Sequence, residues 1–430
     1  MTSSRQISGQ LASEISRRRF AKSAVGMVAS AMGASQVGGQ DQAGSVSVSV
    51  EGVVSPHPFL TPAEDFYTVA RGNPKPHTLQ GQALIDARMT PETWRLEIAP
   101  DGFSEPPDIK ESAKAEKSLT LADGTALDLP ALEKLGETHG VKYLKAMQCL
   151  NIAEPLGQGL WEGVPLRDVL RLCGKLENVR RIYYLGFHNH DPKQIFQSSV
   201  SYTQAMETPP GELPAFLAYR LNGEPIPPVR GGPVRMIVPW AHGFKSIKWL
   251  QQIYLTNDYR TNDTYALKNN DPESYLKTAA YVDDGPESSP AGKPVTIVGR
   301  VISGLSGFQR LETFLRTGLK EGDRRLGDDE LREATWETAD ILPPPNWKLV
   351  LPEGVASRDL LGFDPKTGDP LSWPTRYGMA SWVVTMNGLK PGRYELYART
   401  IDHNGDAQPE PRPMRKAGKN EIQSHRFEVV

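Results

Sequence analysis

The chain has 430 residues, of which 38% are hydrophobic and 23% charged, and its formal net charge at pH 7 is −2. This length allows two or three folded domains, and the near-neutral charge gives no reason to expect a nucleic-acid partner. The chain has no apolar run of about 18 residues, so a membrane-spanning helix is not expected. The two cysteines lie on different predicted elements and do not indicate a disulfide framework, and without C-x-x-C-H no covalent c-type haem is expected.

The first 40 residues predict an export signal. Residues 16–22 read SRRRFAK, which fits the twin-arginine pattern S-R-R-x-F-x-K, and residues 24–34 form a short, weakly apolar run. The alternative is a basic disordered tail, but the order of the arginines, the phenylalanine and the apolar run favours the signal. We therefore expect residues 1–40 to direct the folded protein through the twin-arginine translocation machinery, to the periplasm or beyond.

Several short elements are predicted before residue 140. Residues 59–76 are punctuated by proline and include Arg71, which the pattern alone places in a surface loop. Residues 94–98 alternate in polarity and predict a strand, whereas residues 101–120 are polar and indicate an insertion. A short amphipathic helix is predicted within residues 128–140.

The stretch 141–173 predicts a strand, a loop and a helix. Residues 141–150 are mostly apolar, a proline and three glycines within 155–163 break regular structure, and apolar residues recur with helical spacing from about residue 165. Cys149 therefore lies where a strand opens onto a loop, and Cys173 lies on the apolar face of a helix. A small buried hydrophobe is the prediction for Cys173. For Cys149 this interpretation and that of a thiolate metal ligand both stay open.

Two polar segments follow predicted strands. The strand 181–187 ends at residues 188–191, HNHD, which form either a metal site or, as we favour, a polar loop, because two histidines two residues apart need further ligands from elsewhere. Residues 199–206 then predict a short helix. After a strand at 236–239, the segment 242–248 is either a basic turn or an anion site. The donors of that site are Gly243, Ser246 and four cations, Arg230, Arg235, Lys245 and Lys248.

From residue 293 onwards the composition changes to short alternating segments. Seven of them predict an antiparallel β-sandwich, at 294–302, 310–316, 332–338, 346–350, 381–386, 392–400 and 424–430. The loops 320–335 and 341–378 are longer than a minimal sandwich needs and are expected to pack on the first domain or on a partner. The fold class is therefore α+β, with a mixed α/β domain at 50–270 and a sandwich at 285–430.

Several of these segments resemble the sulfite oxidase family of molybdenum enzymes. The resemblance rests on LTPAEDFYTVARGNPKP at 60–76, MQC at 147–149, WEGVPLRDVL at 161–170 and LNGEPIPPVRGGPVRMIVPWAHGFKSIKWL at 221–250, in family order. VGRVISGLSG at 298–307 and IDHNGDAQP at 401–409 resemble parts of the family's C-terminal domain. The resemblance implies a molybdopterin domain, then an immunoglobulin-like β-sandwich that mediates dimerisation, so a homodimer is expected.

The resemblance also implies a molybdenum–molybdopterin cofactor and gives roles to particular residues. Cys149 becomes the metal ligand, and Arg71 faces the molybdenum centre and its anion, a task that suits a planar, permanently charged guanidinium. His188 is implied to line the substrate cavity. Tyr265 is either an active-site tyrosine or an ordinary loop residue. The residues implied to hold the pterin phosphate are Arg230, Arg235, Gly243, Lys245, Ser246 and Lys248.

One departure from the family bears on the substrate. Sulfite-oxidising members carry an arginine just after the ligand cysteine, whereas residues 149–154 read CLNIAE here, and Glu154 adds a negative charge that opposes an anion. The expected function is that of a sulfite dehydrogenase-like enzyme that moves an oxygen atom between water and substrate. Its electrons pass to or from a separate carrier such as a c-type cytochrome. The alternatives are a reductase of S-oxides or N-oxides on the same cofactor, and a cofactor-free binding scaffold.

Overall fold

The computed structural model describes residues 57–69, 71–101, 111–261, 263–264 and 266–430. The predicted export signal and Tyr265 lie outside these residues. In chain order, the strands of the described residues are β1 Arg95–Pro100, β2 Lys114–Ala115, β3 Leu127–Asp128, β4 Val141–Gln148, β5 Pro155–Pro165, β6 Leu176–Glu177, β7 Arg181–Gly186, β8 Gln197–Ser201, β9 Phe216–Leu221, β10 Glu224–Pro225, β11 Arg235–Ile237, β12 Leu250–Thr256, β13 Ala279–Asp284, β14 Ser288–Ser289, β15 Val295–Ile302, β16 Arg310–Arg316, β17 Glu337–Ala339, β18 Met379–Met386, β19 Gly392–Ile401 and β20 Gln423–Val429.

The helices are short, and all but the first lie between these strands in the sequence. They are α1 Gln82–Asp86, α2 Leu129–His139, α3 Leu166–Leu170, α4 Tyr202–Met206, α5 Asp328–Glu333 and α6 Trp347–Val350. Helix α2 begins after Asp128, whose carboxylate accepts the Ala131 N–H at 2.9 Å and caps the helix as its sequence position allows. No helix of the described residues is long and apolar enough to cross a membrane.

Two sheets before residue 270 enclose the largest core. One has the strand order β3-β1-β12-β7-β8, in which only β1 and β12 run parallel, and the other is antiparallel with the order β10-β9-β5-β4, with β11 also paired to β9. Trp94, Val169 and Cys173 are among the fully buried residues of this core. Helix α3 and the buried Cys173 confirm the predicted helix and its apolar face.

The predicted loop at 155–163 is wrong, because these residues form β5, which pairs with β4 and β9. The glycines allow close approach of neighbouring chains here and do not break the strand. A Cβ at Gly163 would lie 1.9 Å from the Leu217 carbonyl oxygen, and one at Gly159 would lie 2.3 Å from Leu221 Cδ1. Glycine is needed where backbones come this close.

Two further element predictions need correction. The predicted helix at 199–206 begins only at Tyr202, since the preceding residues belong to β8 and Ser201 forms a capping box with Gln204. The predicted strand at 346–350 is helix α6, which Asn346 caps. The segment 332–338 is part helix, α5, and part strand, β17.

The C-terminal strands form two sheets that share one core. Their orders are β13-β15-β18 and β14-β20-β19-β16-β17, and buried residues of both sheets, such as Trp382 and Phe427, belong to one hydrophobic cluster. The two sheets therefore pack as a β-sandwich, in agreement with the alternating sequence pattern. That this sandwich is immunoglobulin-like stays a prediction.

The long segment 341–378 covers the edge of β4. The Leu361 N–H donates to the Lys142 carbonyl at 2.9 Å, and the Ala146 N–H donates to the Tyr377 carbonyl at 2.8 Å. Side chains of the segment also pack against β4 and β5 in a small cluster formed by Leu144, Leu160, Leu351, Leu360 and Phe363. Covering an edge strand in this way prevents pairing with another chain.

A further hydrophobic cluster contains residues of both predicted domains. Phe66 and Trp161 from the first part pack with Ile302 and Met379 from the second. The fully buried amide of Gln158 accepts the Met379 N–H and also donates to the Met379 carbonyl at 3.4 Å. The two parts are therefore joined by an apolar cluster and by hydrogen bonds of Gln158, which lies on β5.

Candidate active site

Cys149 lies on the turn that joins β4 to β5. Its side chain is partly buried, and its Sγ donates to Asn151 Oδ1 at 3.2 Å. Gln148 holds the turn together, because its Nε2 donates to the carbonyls of Ile152 at 2.6 Å and of Cys149 at 3.3 Å. The hairpin therefore presents one thiol at a fixed position, where its thiolate suits a soft metal.

The same turn is braced by the C-terminal part of the chain. The Leu150 carbonyl, next to Cys149, accepts the Lys419 N–H at 3.0 Å. Gln423 donates to the Ala153 carbonyl and accepts the Val282 N–H at 2.9 Å, which ties the turn to β13. Residues far apart in sequence thus fix the turn that carries the thiol.

Cys149 lines a cavity together with four arginine and lysine side chains. The cations are Arg71, Arg230, Arg235 and Lys248, and no Asp or Glu of the described chain lines this cavity. The other walls are partly apolar, formed by Phe66, Tyr67, Val69, Met147, Ile152, Leu156, Phe187, Phe196, Phe244, Ile247 and Trp249. Such a cavity suits an anionic ligand with an organic body.

Arg230 and Arg235 each retain an unpaired donor. Arg230 Nη2 donates to Thr68 Oγ1 at 2.8 Å, and Arg235 donates to the carbonyls of Arg230 and Ser246, both at 2.6 Å. The Nε atoms of both are buried without a hydrogen-bond partner among the described residues. Burial lowers the pKa of both, and that of Arg235 falls to about 9, so both stay charged at neutral pH. An unpaired buried donor is costly, and a phosphate would satisfy both groups.

Lys248 lines the same cavity, and its charge depends on the pH. Its Nζ donates to the Val229 carbonyl at 2.8 Å. Burial, with repulsion from Arg235, Arg230 and Arg71, lowers the pKa of Lys248 to about 7. Its ammonium form is therefore disfavoured until an anion enters the cavity.

Lys245 is the predicted anion ligand that the structure contradicts. Its side chain is 1% exposed and does not line the cavity. The ammonium donates to the Ser199 carbonyl at 2.8 Å and to Asp263 Oδ2 at 3.3 Å, so it is used inside the fold. Lys245 therefore pairs with the buried carboxylate of Asp263 instead of lining the cavity. The sequence of the segment 242–248 does not indicate this partner.

Gly243 and Ser246 line the cavity. The Ser246 N–H, one of the predicted anion donors, already donates a hydrogen bond within the protein. Both residues belong to a 3-10 turn, in which the Ser246 N–H donates to the Gly243 carbonyl at 3.1 Å. The Ser246 hydroxyl accepts the Val238 N–H at 3.1 Å. A Cβ at Gly243 would lie 3.3 Å from the Gln148 carbonyl oxygen, so glycine lets this turn approach the strand before Cys149.

Arg71 and His188 line the same cavity as Cys149. The Arg71 guanidinium carbon lies 3.4 Å from the centre of the Phe196 ring. His188 Nδ1 is buried without a hydrogen-bond partner among the described residues. The described residues hold no group of three or more His, Cys, Asp or Glu that suits a metal ion. The polar loop at 188–191 stays a prediction. Tyr265 lies outside the described residues.

The structure also identifies cavity residues that sequence reasoning missed. Asn151, Gln194 and Phe196 line the cavity, and the position of Asn151 two residues after Cys149 was a signal for it. The argument from Glu154 needs correction, because this side chain lines a second cavity and not the one at Cys149. The turn after Cys149 therefore lacks an added cation but does not bring a negative charge to the thiol.

Residues 85–264 match the oxidoreductase molybdopterin binding domain family. An inducible NADH nitrate reductase of Glycine max is 35% identical over 116 residues, which are 26% of this chain and 13% of that protein. The mitochondrial sulfite oxidase of Rattus norvegicus is 27% identical over 212 residues, 47% of this chain and 37% of that protein. The chain thus matches less than two fifths of the length of these relatives.

The sulfane dehydrogenase SoxCD from Paracoccus pantotrophus has a similar fold. The structures align with a TM-score of 0.53 at 16% identity, over 83% of this chain and 86% of that chain. The fold and the cation-lined thiol cavity, together with the domain match, define a molybdopterin-binding oxidoreductase domain. The domain match and the sulfite oxidase relatives confirm the predicted resemblance to the sulfite oxidase family.

Proposed function

We propose that this chain is a sulfite dehydrogenase-like enzyme that transfers an oxygen atom between water and a small oxyanion of sulfur. The observation that carries the proposal is one cavity in which the Cys149 thiol faces four cations and, in the described chain, no carboxylate. For sulfite the balance is SO₃²⁻ + H₂O → SO₄²⁻ + 2 H⁺ + 2 e⁻. The two electrons pass one at a time to a separate carrier.

The proposal gives a role to each of the predicted site residues that line the cavity. When bound, the molybdenum–molybdopterin cofactor supplies the two-electron redox change and the oxygen transfer. The Cys149 thiolate ligates the metal, and Arg71 binds the substrate oxyanion beside His188. Tyr265 stays a candidate active-site residue. The terminal pterin phosphate is held by the unpaired donors of Arg230 and Arg235, by Lys248, and by the turn that contains Gly243 and Ser246.

A reductase of S-oxides or N-oxides on the same cofactor is the second candidate. It is favoured by the turn after Cys149, where Asn151 and Ile152 line the cavity and no cation is present. A neutral substrate needs no further positive charge there, and Asn151 offers a neutral donor. The cofactor-free scaffold is a weaker candidate, since it leaves the unpaired arginine donors unexplained.

The setting of the enzyme is also part of the proposal. The twin-arginine pattern at residues 16–22 supports export of the folded, cofactor-loaded protein to the periplasm. A c-type cytochrome is then the natural external electron carrier. An immunoglobulin-like type for the C-terminal sandwich, and a homodimer formed through it, are the remaining proposals.

Metal analysis and two activity assays test the proposal. Protein from a host that makes the pterin is expected to contain about one molybdenum per chain. Sulfite oxidation with ferricyanide is expected to exceed S-oxide reduction with reduced viologen, and the reverse order would favour the second candidate. Cys149→Ser should lower the activity by more than about 100-fold, since it removes the ligand itself. Cys173→Ala is the thiol control, because Cys173 lies in the hydrophobic core and does not line the cavity. Folded wild type without molybdenum would sink both enzyme proposals.

A further inference from the structure

Two loops of the cavity wall are joined by one side-chain amide. Gln194 Nε2 donates to the Asn73 carbonyl at 3.1 Å, and Gln194 Oε1 accepts the Asn73 N–H at 2.9 Å. Both polar groups of the Asn73 backbone are therefore bound by the same side chain. Such a two-point contact fixes the position and the orientation of the backbone at Asn73.

Neighbouring groups hold Gln194 in the conformation that this contact requires. Gln194 Nε2 also donates to Asp191 Oδ2 at 3.0 Å, and its Oε1 accepts from Asn189 Nδ2 at 2.9 Å. Asn189 Nδ2 donates to the Pro74 carbonyl at 2.7 Å, which adds a second link between the loops. Hydrogen bonds from the Lys193 N–H and from Gln194 lower the pKa of Asp191, so it is a carboxylate at neutral pH.

Arg71 lies at one end of this link and Phe196 at the other. Arg71 precedes Asn73 by two residues, Phe196 follows Gln194 by two, and the guanidinium carbon lies 3.4 Å from the ring centre. An arginine side chain loses rotamer entropy when it is fixed. A rigid link between the two backbones reduces the additional cost of placing the guanidinium on the ring.

We propose that Gln194 is a positioning residue, which holds the Arg71 guanidinium on the Phe196 ring so that it binds an oxyanion in the cavity. The proposal rests on the proposed function in that Arg71 is the group that meets the substrate. Gln194 acts through the Asn73 backbone and needs no contact with the substrate. It sets how tightly the oxyanion is held and leaves the reaction at the thiol side unchanged.

Gln194→Ala and Gln194→Glu test the proposal. The alanine removes both bonds to Asn73, and the glutamate keeps an acceptor but loses the donor and faces Asp191. For both variants we expect the KM for sulfite and the Kd for sulfate, measured by calorimetry, to rise about tenfold, with kcat within about twofold. Gln82→Ala is the matched control, because Gln82 is exposed, bonds only Asp86 in the described chain and does not line the cavity.

A double-mutant cycle with Arg71→Ala separates positioning from a merely structural effect. In the Arg71→Ala background, Gln194→Ala should raise the sulfate Kd no further. Effects that multiply, or an unchanged Kd in Gln194→Ala, would overturn the inference. The sulfate Kd can be measured without turnover. A wild type that binds sulfate but lacks molybdenum or activity would refute the proposed function, while the Kd values of the variants would still test the role of Gln194.

Discussion

Lys248 makes the charge of the cavity depend on pH and on its ligand. Burial and three neighbouring arginines lower its pKa from 10.5 to about 7. Between these values the folded chain binds fewer protons than the unfolded chain. The burial of Lys248 therefore destabilises the fold fully below about pH 7 and progressively less as the pH rises towards 10.5.

Anion binding should reverse this loss of charge. At pH 8 the binding of sulfate is expected to take up close to one proton, because the anion favours the ammonium form, and the affinity should fall as the pH rises above about 7. Calorimetry in buffers of different ionisation enthalpy measures the uptake. Lys248→Met should abolish it, whereas the exposed Lys390→Met should not. Equal uptake in wild type and Lys248→Met would contradict the assignment.

The position of a single site residue was predictable where the local sequence determines whether its side chain lines the cavity. Cys149 follows β4, Arg235 begins β11 and Lys248 shortly precedes β12, and all three line one cavity together with Arg230. The direction of Lys245 is decided by Asp263, a partner 18 residues further along the chain that no local pattern marks.

Strands were predicted correctly where the hydrophobic periodicity is strong. They were predicted poorly where glycine can either end a strand or allow a neighbouring chain to approach it closely. Strands β4, β7 and β19 agree with the alternating or apolar patterns that predicted them. The glycines of β5 suggested a loop, yet they permit close contact with β9, more than fifty residues away in sequence. Whether a glycine ends a strand or admits a neighbour depends on that neighbour, which a local pattern does not contain.

The segment 341–378 is an element whose role can be measured. Leu360→Ala should lower the free energy of unfolding by about 2–4 kcal/mol, because Leu360 is buried against β4 and β5 and its loss leaves a cavity. Leu349→Ala in the same segment is the control and should change it by less than about 0.5 kcal/mol, since Leu349 is 81% exposed. Urea denaturation gives both values. Equal effects would mean that the segment does not pack on the hairpin.

At the scale of the whole molecule, the two predicted domains depend on one another. The cluster around Phe66 and Trp161 is completed by Ile302 and Met379, and Gln158 has its amide partners on Met379. The change in composition from residue 293 onwards led to the prediction of two domains. The shared core was not predictable, because the sequence pattern of each half already looks complete.

Truncation tests this dependence. A chain that ends at residue 270 is expected to lose fixed tertiary packing, since it exposes the shared cluster and removes the Met379 partners of the Gln158 amide. Loss of the near-ultraviolet circular dichroism and binding of a hydrophobic dye would report this. The full chain with Gln309→Ala, an exposed change in the second half, serves as the control. A truncated chain with native-like spectra would show that the first half folds alone.

Lys419 and Gln423 hold the Cys149 turn by hydrogen bonds, so the turn can be completed only after both residues have been synthesised. The turn leaves the ribosome about 270 residues before Gln423, which later holds it. Until then the thiol belongs to an unfinished hairpin. Cofactor loading should therefore follow translation, so stalled nascent chains that end before residue 419 are expected to carry no molybdenum. An exporter that accepts only folded cargo would then receive finished, loaded molecules.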